Sequence, residues 1–180
     1  MGNPSKTIAE NSMRLYMDYQ NNPLNIKKGG VDETLKELDK FRQVGPGKTA
    51  LIMKNFVRFG FWDFNVYELP MKIDRHVVRI SLGTGVVKTD EEVIRADKLV
   101  YPLMGLYREI TREEKISGVD LDDAMWVIGS YICLKNNKSY CDMNCPFGCE
   151  KRPPSDNNAV FFQSQIDKRK GKGQGSLFGF

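Results

Sequence analysis

The sequence predicts an all-α fold. Apolar residues recur at three- and four-residue spacing through most of the chain, and the segments between them open and close on capping and turn residues. No stretch alternates apolar and polar residues as a half-buried strand does. With 180 residues, 41% of them hydrophobic, the chain can build one core. No apolar run approaches the ~20 residues of a membrane span, and the net charge of +4 allows a nucleic-acid partner without demanding one.

The first ~20 residues read as a helix with Ile8, Leu15, Met17 and Tyr19 as core positions, stopped by Asn21-Asn22-Pro23. Asp32 is placed to cap a second helix whose Leu35, Leu38 and Phe41 share a face. Val44-Gly45-Pro46-Gly47 is a tight turn into a helix carrying Ala50, Leu51, Ile52, Phe56 and Val57. Residues 60–70 read as an aromatic loop. Asp74 then caps a short helix with Val77, Val78 and Ile80 inward. Thr89-x-x-Glu92 is a capping-box signature for a helix through about Val100. Asp120 opens a last helix, whose Leu121, Ala124, Val127, Ile128 and Tyr131 lead up to Cys133. From Lys151 the chain turns Pro-, Lys- and Gly-rich and reads as a mostly flexible tail, with Lys168, Arg169, Lys170 and Lys172 clustered in it.

All four cysteines fall within residues 133–149, spaced C-x7-C-x3-C-x3-C: Cys133, Cys141, Cys145 and Cys149. Four thiolates suit an iron–sulfur cluster or zinc. The C-x2-C knuckles usual for zinc are missing. Two disulfides would need an oxidising compartment, and MGNPSK opens no secretion signal.

In Phe41–Ala50 the glycines allow close backbone approach, and the turn amides converge with a helix N-terminus on one spot suited to a phosphate. A plain helical hairpin explains that segment as well. Asp74 reads as an N-cap, and His76, the one histidine of the chain, as a packed residue.

Taken in order, the hairpin VGPGKTA, the helix start IDRHVVRI and the segment WVIGSYIC with its cysteine loop resemble the helix-hairpin-helix DNA glycosylases of the endonuclease III superfamily. The resemblance covers roughly residues 5–152; VGPGKTALIMKNF with LPMKIDRHVVRI is also similar to the archaeal 8-oxoguanine glycosylases. It implies a glycosylase-like domain over residues 1–152 and base excision from duplex DNA at a flipped damaged base or abasic site. Gly45, Gly47, Lys48 and Thr49 would meet a DNA phosphate. Asp74 would stabilise the cationic sugar or activate the nucleophile, and Lys48 would form a Schiff base for β-elimination. Cys133, Cys141, Cys145 and Cys149 would hold a structural [4Fe–4S] cluster, with zinc the alternative. Lys135, Lys138 and Arg152 would face the DNA backbone. A prokaryotic, nucleoid-associated cytoplasmic protein is implied, neither secreted nor in a membrane.

The family reads G-x-G with its lysine two residues after the second glycine. Gln43 stands at the first glycine here, and Lys48 falls one residue late. A monofunctional enzyme using Asp74 and water is therefore an alternative to a lyase. Only about 44 residues precede the hairpin, where the family has a lobe walling the base pocket. A split enzyme, a second copy completing the cleft, and a non-catalytic DNA-binding or clamp-adaptor module are the alternatives that follow. A zinc-stapled interaction domain is the reading without DNA. The tail, residues 153–180, ends in Gln174-x-x-Leu177-Phe178-x-Phe180, which resembles the peptides that dock on DNA sliding clamps.

Overall fold

In the computed structural model, residues 3–87, 94–133 and 160–161 are described. They form six α-helices: α1 (Pro4–Tyr19), α2 (Val31–Asp39), α3 (Pro46–Arg58), α4 (Arg75–Gly83), α5 (Ala96–Glu113) and α6 (Gly118–Val127). A 3-10 turn spans Pro23–Ile26, and a π-helical turn, Ile128–Ile132, prolongs α6. Among the described residues the strand content is one two-residue parallel ladder, β1 (Ile94–Arg95) beside β2 (Val160–Phe161). The fold is thus all-α, and Val160 and Phe161, which the composition assigned to the tail, pair into it. Among the described residues no helix is long and apolar enough to cross a membrane.

The chain divides into two compact units, with α5 and α6 each contributing residues to both. One comprises Met1–Lys72 and Met104–Leu121, the other Ile73–Leu103 and Asp122–Phe180.

In the first unit, Asn3 caps α1 by accepting the Ser5 and Lys6 amides at 3.0 and 3.3 Å. Gln20 and Asn21 end the helix in the left-handed conformation, and Asn22 caps the 3-10 turn that Pro23 opens. The core gathers Tyr19, Ile26, Val31, Leu38, Met53, Trp62, Leu69 and Val119. The Tyr19 hydroxyl donates to Glu37 at 2.7 Å, tying α1 to α2. Burial, with that carboxylate, pushes the Tyr19 phenol up to about 12. The expected face of α1 holds only for Leu15 and Tyr19, because Ile8 and Met17 are 66% and 69% exposed.

Helix α2 opens two residues earlier than Asp32 predicted. Gly30 is the N-cap, and the Glu33 carboxylate reaches back to its amide at 3.4 Å. Asp32 sits in the first turn instead and accepts from Arg108, a hydrogen bond that holds its carboxyl below the usual range. In the 60–70 loop the buried Trp62 packs tilted against Phe56 and edge-to-face against Phe64, with centroids 4.5 and 5.9 Å apart. Helix α6 begins at Gly118, two residues before Asp120. A Cβ at Gly118 would stand 2.8 Å from the Leu69 carbonyl oxygen, so no larger residue fits there without backbone movement.

In the second unit, α4 buries Val77, Val78 and Ile80 to 3% exposure or less, as its pattern predicted. Helix α5 runs through Pro102 to Glu113 rather than stopping near Val100; Thr89 and Glu92 lie outside the described residues. The last helix turns a different face inward from the expected one. Asp122, Met125, Gly129 and Cys133 are buried, while Ala124 is exposed and Val127 and Tyr131 are 45% and 64% exposed. Beyond Val127 the helix loosens into the π turn, in which the Cys133 amide reaches back five residues to the Ile128 carbonyl at 2.7 Å. The extra residue in that loop rotates every later side chain relative to an α-helical reading.

Candidate functional site

The hairpin between α2 and α3 is built almost wholly from backbone. The Phe41 and Val44 amides donate to the Leu38 and Phe41 carbonyls, both at 3.1 Å. Gln43 takes φ 61°, the left-handed region that glycine occupies at least cost. This is the position where the resembling motif carries its first glycine. Gly45 is the N-cap of α3 and has no side chain to cap it, and Pro46 brings no N–H to the first helical position. The Lys48 and Thr49 amides both reach the Gly45 carbonyl, at 2.9 and 3.0 Å. Among the described residues the Gly45 and Gly47 amides have no acceptor.

Crowding within the chain does not account for glycine at 45 or 47. The φ of Gly45 is an ordinary −91°, and a Cβ there would have nothing within 4 Å. At Gly47 a Cβ would meet only Lys72 Cγ, at 3.9 Å. The space where a side chain would stand at both glycines is open. A group arriving from outside could approach the bare backbone closely, and the positive end of α3 favours an anion.

Two side chains expected at this mouth behave differently. Lys48 is exposed, and its ammonium donates to the Gln43 carbonyl at 2.9 Å, so its charge lies over the turn. Thr49 is 1% exposed, with its hydroxyl 3.1 Å from the Gly45 carbonyl and 3.3 Å from the Asp39 carboxylate. It is a strut inside the hairpin and is not placed to touch a ligand.

What holds this turn from α1 lies beyond any local sequence pattern. The Asn11 amide brackets the main chain of Arg42: Oδ1 accepts the Arg42 N–H at 2.8 Å and Nδ2 donates to its carbonyl at 3.0 Å. The Arg42 guanidinium donates to Glu10 at 2.5 Å, which lowers the Glu10 pKa. The residue just before Gln43 is thus pinned by both a side chain and its main chain.

In the second unit, Asp74 is the N-cap of α4, as predicted, and its Oδ1 accepts the His76 and Val77 amides at 2.8 and 3.2 Å. Two residues on, His76 is half-buried. Burial lowers its pKa, against the opposing pull of the Asp74 charge. The guanidinium of Arg79 lies 3.4 Å from His76 Nδ1 and donates to the Gly129 carbonyl in the π turn. Gly129 is required here, because a Cβ would collide with His76 Cβ and stand 3.0 Å from its Cγ. Burial lowers the pKa of Arg79, while its interactions with Cys133 and Asp74 act the other way. Asp74, His76, Arg79 and Cys133 therefore share one electrostatic neighbourhood. Arg79 and Gly129 are the members that sequence reasoning missed; the glycine inside WVIGSYIC was the available signal.

Cys133 is 7% exposed at the end of the π turn. A cysteine at this position can supply a thiolate ligand to iron or zinc. Cys141, Cys145 and Cys149 lie outside the described residues, as do Lys135, Lys138, Arg152 and the tail residues Gln174, Leu177, Phe178 and Phe180. Among the described residues no group of three or more histidine, cysteine or carboxylate side chains converges on a metal position. The chain matches no family model, no curated protein and no solved structure.

Proposed function

We propose that the chain is a DNA-binding protein of base excision, acting as a glycosylase on a flipped, damaged base. The observation that carries this reading is the uncapped start of α3. Two glycine amides with no acceptor among the described residues, a helix N-terminus and the Lys48 ammonium together make a seat for a backbone phosphate. The order of hairpin, Asp74 helix and cysteine segment supports the rest. Asp74 would face the anomeric carbon as the glycosidic bond breaks. The base leaves with the bonding electrons, and water supplies the oxygen that ends on the sugar. Cys133, Cys141, Cys145 and Cys149 would hold an iron–sulfur cluster, or zinc in its place, which supplies a rigid staple to the loop. The tail from Gln174 to Phe180 would dock on a sliding clamp.

The monofunctional version is favoured over a lyase by one contact. Lys48 is bonded to the carbonyl of Gln43 and serves better as a phosphate cation than as a nucleophile.

Borohydride trapping and base-release assays on duplexes carrying an abasic site, 8-oxoguanine, an oxidised pyrimidine or uracil test this reading. Base release lost in Asp74→Asn, with no trapped complex, is the expected outcome. A crosslink lost in Lys48→Ala would establish the lyase instead. DNA binding without either activity would leave an adaptor, and no DNA binding at all would overturn the proposal.

A further inference from the structure

Arg42 stands just before the hairpin, and two neighbouring residues of α1 hold it. Asn11 brackets its main chain, which fixes the root of the side chain. Glu10 accepts from its guanidinium at 2.5 Å. Only Gln43 and Val44 separate Arg42 from Gly45, so the two Cα atoms lie within ~11 Å of each other. On the far side of Gln43, the Lys48 ammonium reaches the Gln43 carbonyl. The open start of α3 is thus flanked by two cations, one of them anchored by its backbone.

Beside Arg42 opens a cleft of about 370 Å³ that Arg14 and Lys40 also line. Each of these three cations meets a carboxylate of its own chain. Arg14 takes Asp18 at 3.1 Å and Lys40 takes Glu37 at 2.7 Å, both about one helical turn away. Arg42 alone of the three pairs across the fold, 32 residues from Glu10. Both side chains of that pair are 42% exposed. An exposed ion pair is weak and screened by salt, so an arriving anion can take the guanidinium over. The planar guanidinium fork matches two oxygens of a phosphate at once.

We propose that Arg42 is the second phosphate ligand of the hairpin, and that Glu10 is the anion it gives up on binding. One strand phosphate sits on the Gly45 and Gly47 amides. The next enters the mouth of the cleft and takes the guanidinium from Glu10. The ligand is the phosphodiester backbone of DNA, met without reading its bases. Glu10 then has two effects: it keeps the guanidinium beside the hairpin in the free protein, and it weakens binding because it must be displaced. The inference rests on the reading of the hairpin as a phosphate seat.

Fluorescence anisotropy of the full chain on a labelled short duplex, from about 50 to 200 mM salt, tests it. Replacing the side chain at 42 leaves the Asn11 bracket in place, because that bracket holds main-chain atoms. Arg42→Gln should weaken binding about tenfold and lower the salt slope by about one. Arg42→Lys should keep the slope. Glu10→Gln removes the competing charge and still offers the guanidinium an acceptor, so it should tighten binding about threefold. That gain should shrink in the Arg42→Gln background, because the two charges act as a pair. No gain or a loss in Glu10→Gln, equal gains in both backgrounds, or an unchanged slope in Arg42→Gln would each overturn this inference alone. A wild-type chain that binds no duplex would overturn the phosphate seat and this inference together.

Discussion

Helices α3 and α4 begin in opposite ways. Helix α4 is closed by its own sequence, since Asp74 supplies the carboxylate that takes the His76 and Val77 amides. Helix α3 begins on Gly45, which has no side chain to give, and its Gly45 and Gly47 amides find no acceptor among the described residues. The same physical demand, unsatisfied N–H groups at a helix start, is met internally in one place and, among the described residues, left without an acceptor in the other. A helix start that the chain fails to cap, at some cost in stability, is a better guide to a binding site than one it completes.

Substitutions at Asp74 separate its two roles and carry the largest expected effect. Asn caps a helix about as well as Asp, whereas Ala costs roughly 1 kcal/mol. Thermal melts should therefore show Asp74→Asn near wild type and Asp74→Ala destabilised. Base release should fall in both by roughly two to four orders of magnitude. Activity surviving in Asp74→Asn would reduce this residue to a cap.

Next in size is Gly129→Ala. Its methyl group must displace His76, so about 1–3 kcal/mol of destabilisation is expected, together with looser seating of the α4 start. Denaturant titration measures the first and base-release kinetics the second. An unchanged melt would show that the π turn yields without strain.

At the open helix start, Asn11→Ala removes both bonds that pin Arg42, about 1–3 kcal/mol at ~0.5–1.5 kcal/mol per hydrogen bond. Binding to a short duplex should weaken while α3 stays helical by circular dichroism. Gln43→Gly should act in the other direction, because an L residue in the left-handed region costs about 1 kcal/mol that glycine does not. A lower melting point for Gln43→Gly would mean that its side chain contributes something the backbone angle conceals.

The smallest effect is titratable. Burial depresses the pKa of His76 in the folded chain. The unfolded chain therefore binds the proton first as pH falls. The stability contribution is complete above the unfolded value of about 6.5 and is lost as pH drops toward the folded pKa. His76→Gln should flatten that part of the stability profile, as denaturation midpoints across mildly acidic pH would show.

What could be read in advance followed local chemistry. Asp74 as a cap, the stop at Asn21-Asn22-Pro23 and the turn into α3 each depend on a few adjacent residues. The misreadings have a different origin. Both sides of α1 carry apolar residues, so periodicity alone could not say that Met17 faces outward. Glycine at position 30 caps α2 in place of the more typical Asp32, because the Glu33 carboxylate reaches back to its amide. Tyr131 is displaced by the π turn, which leaves no mark on composition. The Asn11 bracket on Arg42 joins residues that lie far apart in the chain and becomes visible only after folding.

The first unit is interrupted: its chain leaves at Lys72 and comes back at Met104. This sets an order on synthesis. A ribosome delivers α1, α2, the hairpin and α3 well before Tyr107, Thr111 and Val119, which are buried in the finished unit. Until Val119 emerges, the core around Leu38 and Met53 lacks one of its members and exposes apolar surface. Folding of the amino-terminal unit therefore waits on the far side of the insertion. A nascent chain arrested after Lys72 should be digested readily by protease, and one arrested well beyond Leu121 should resist.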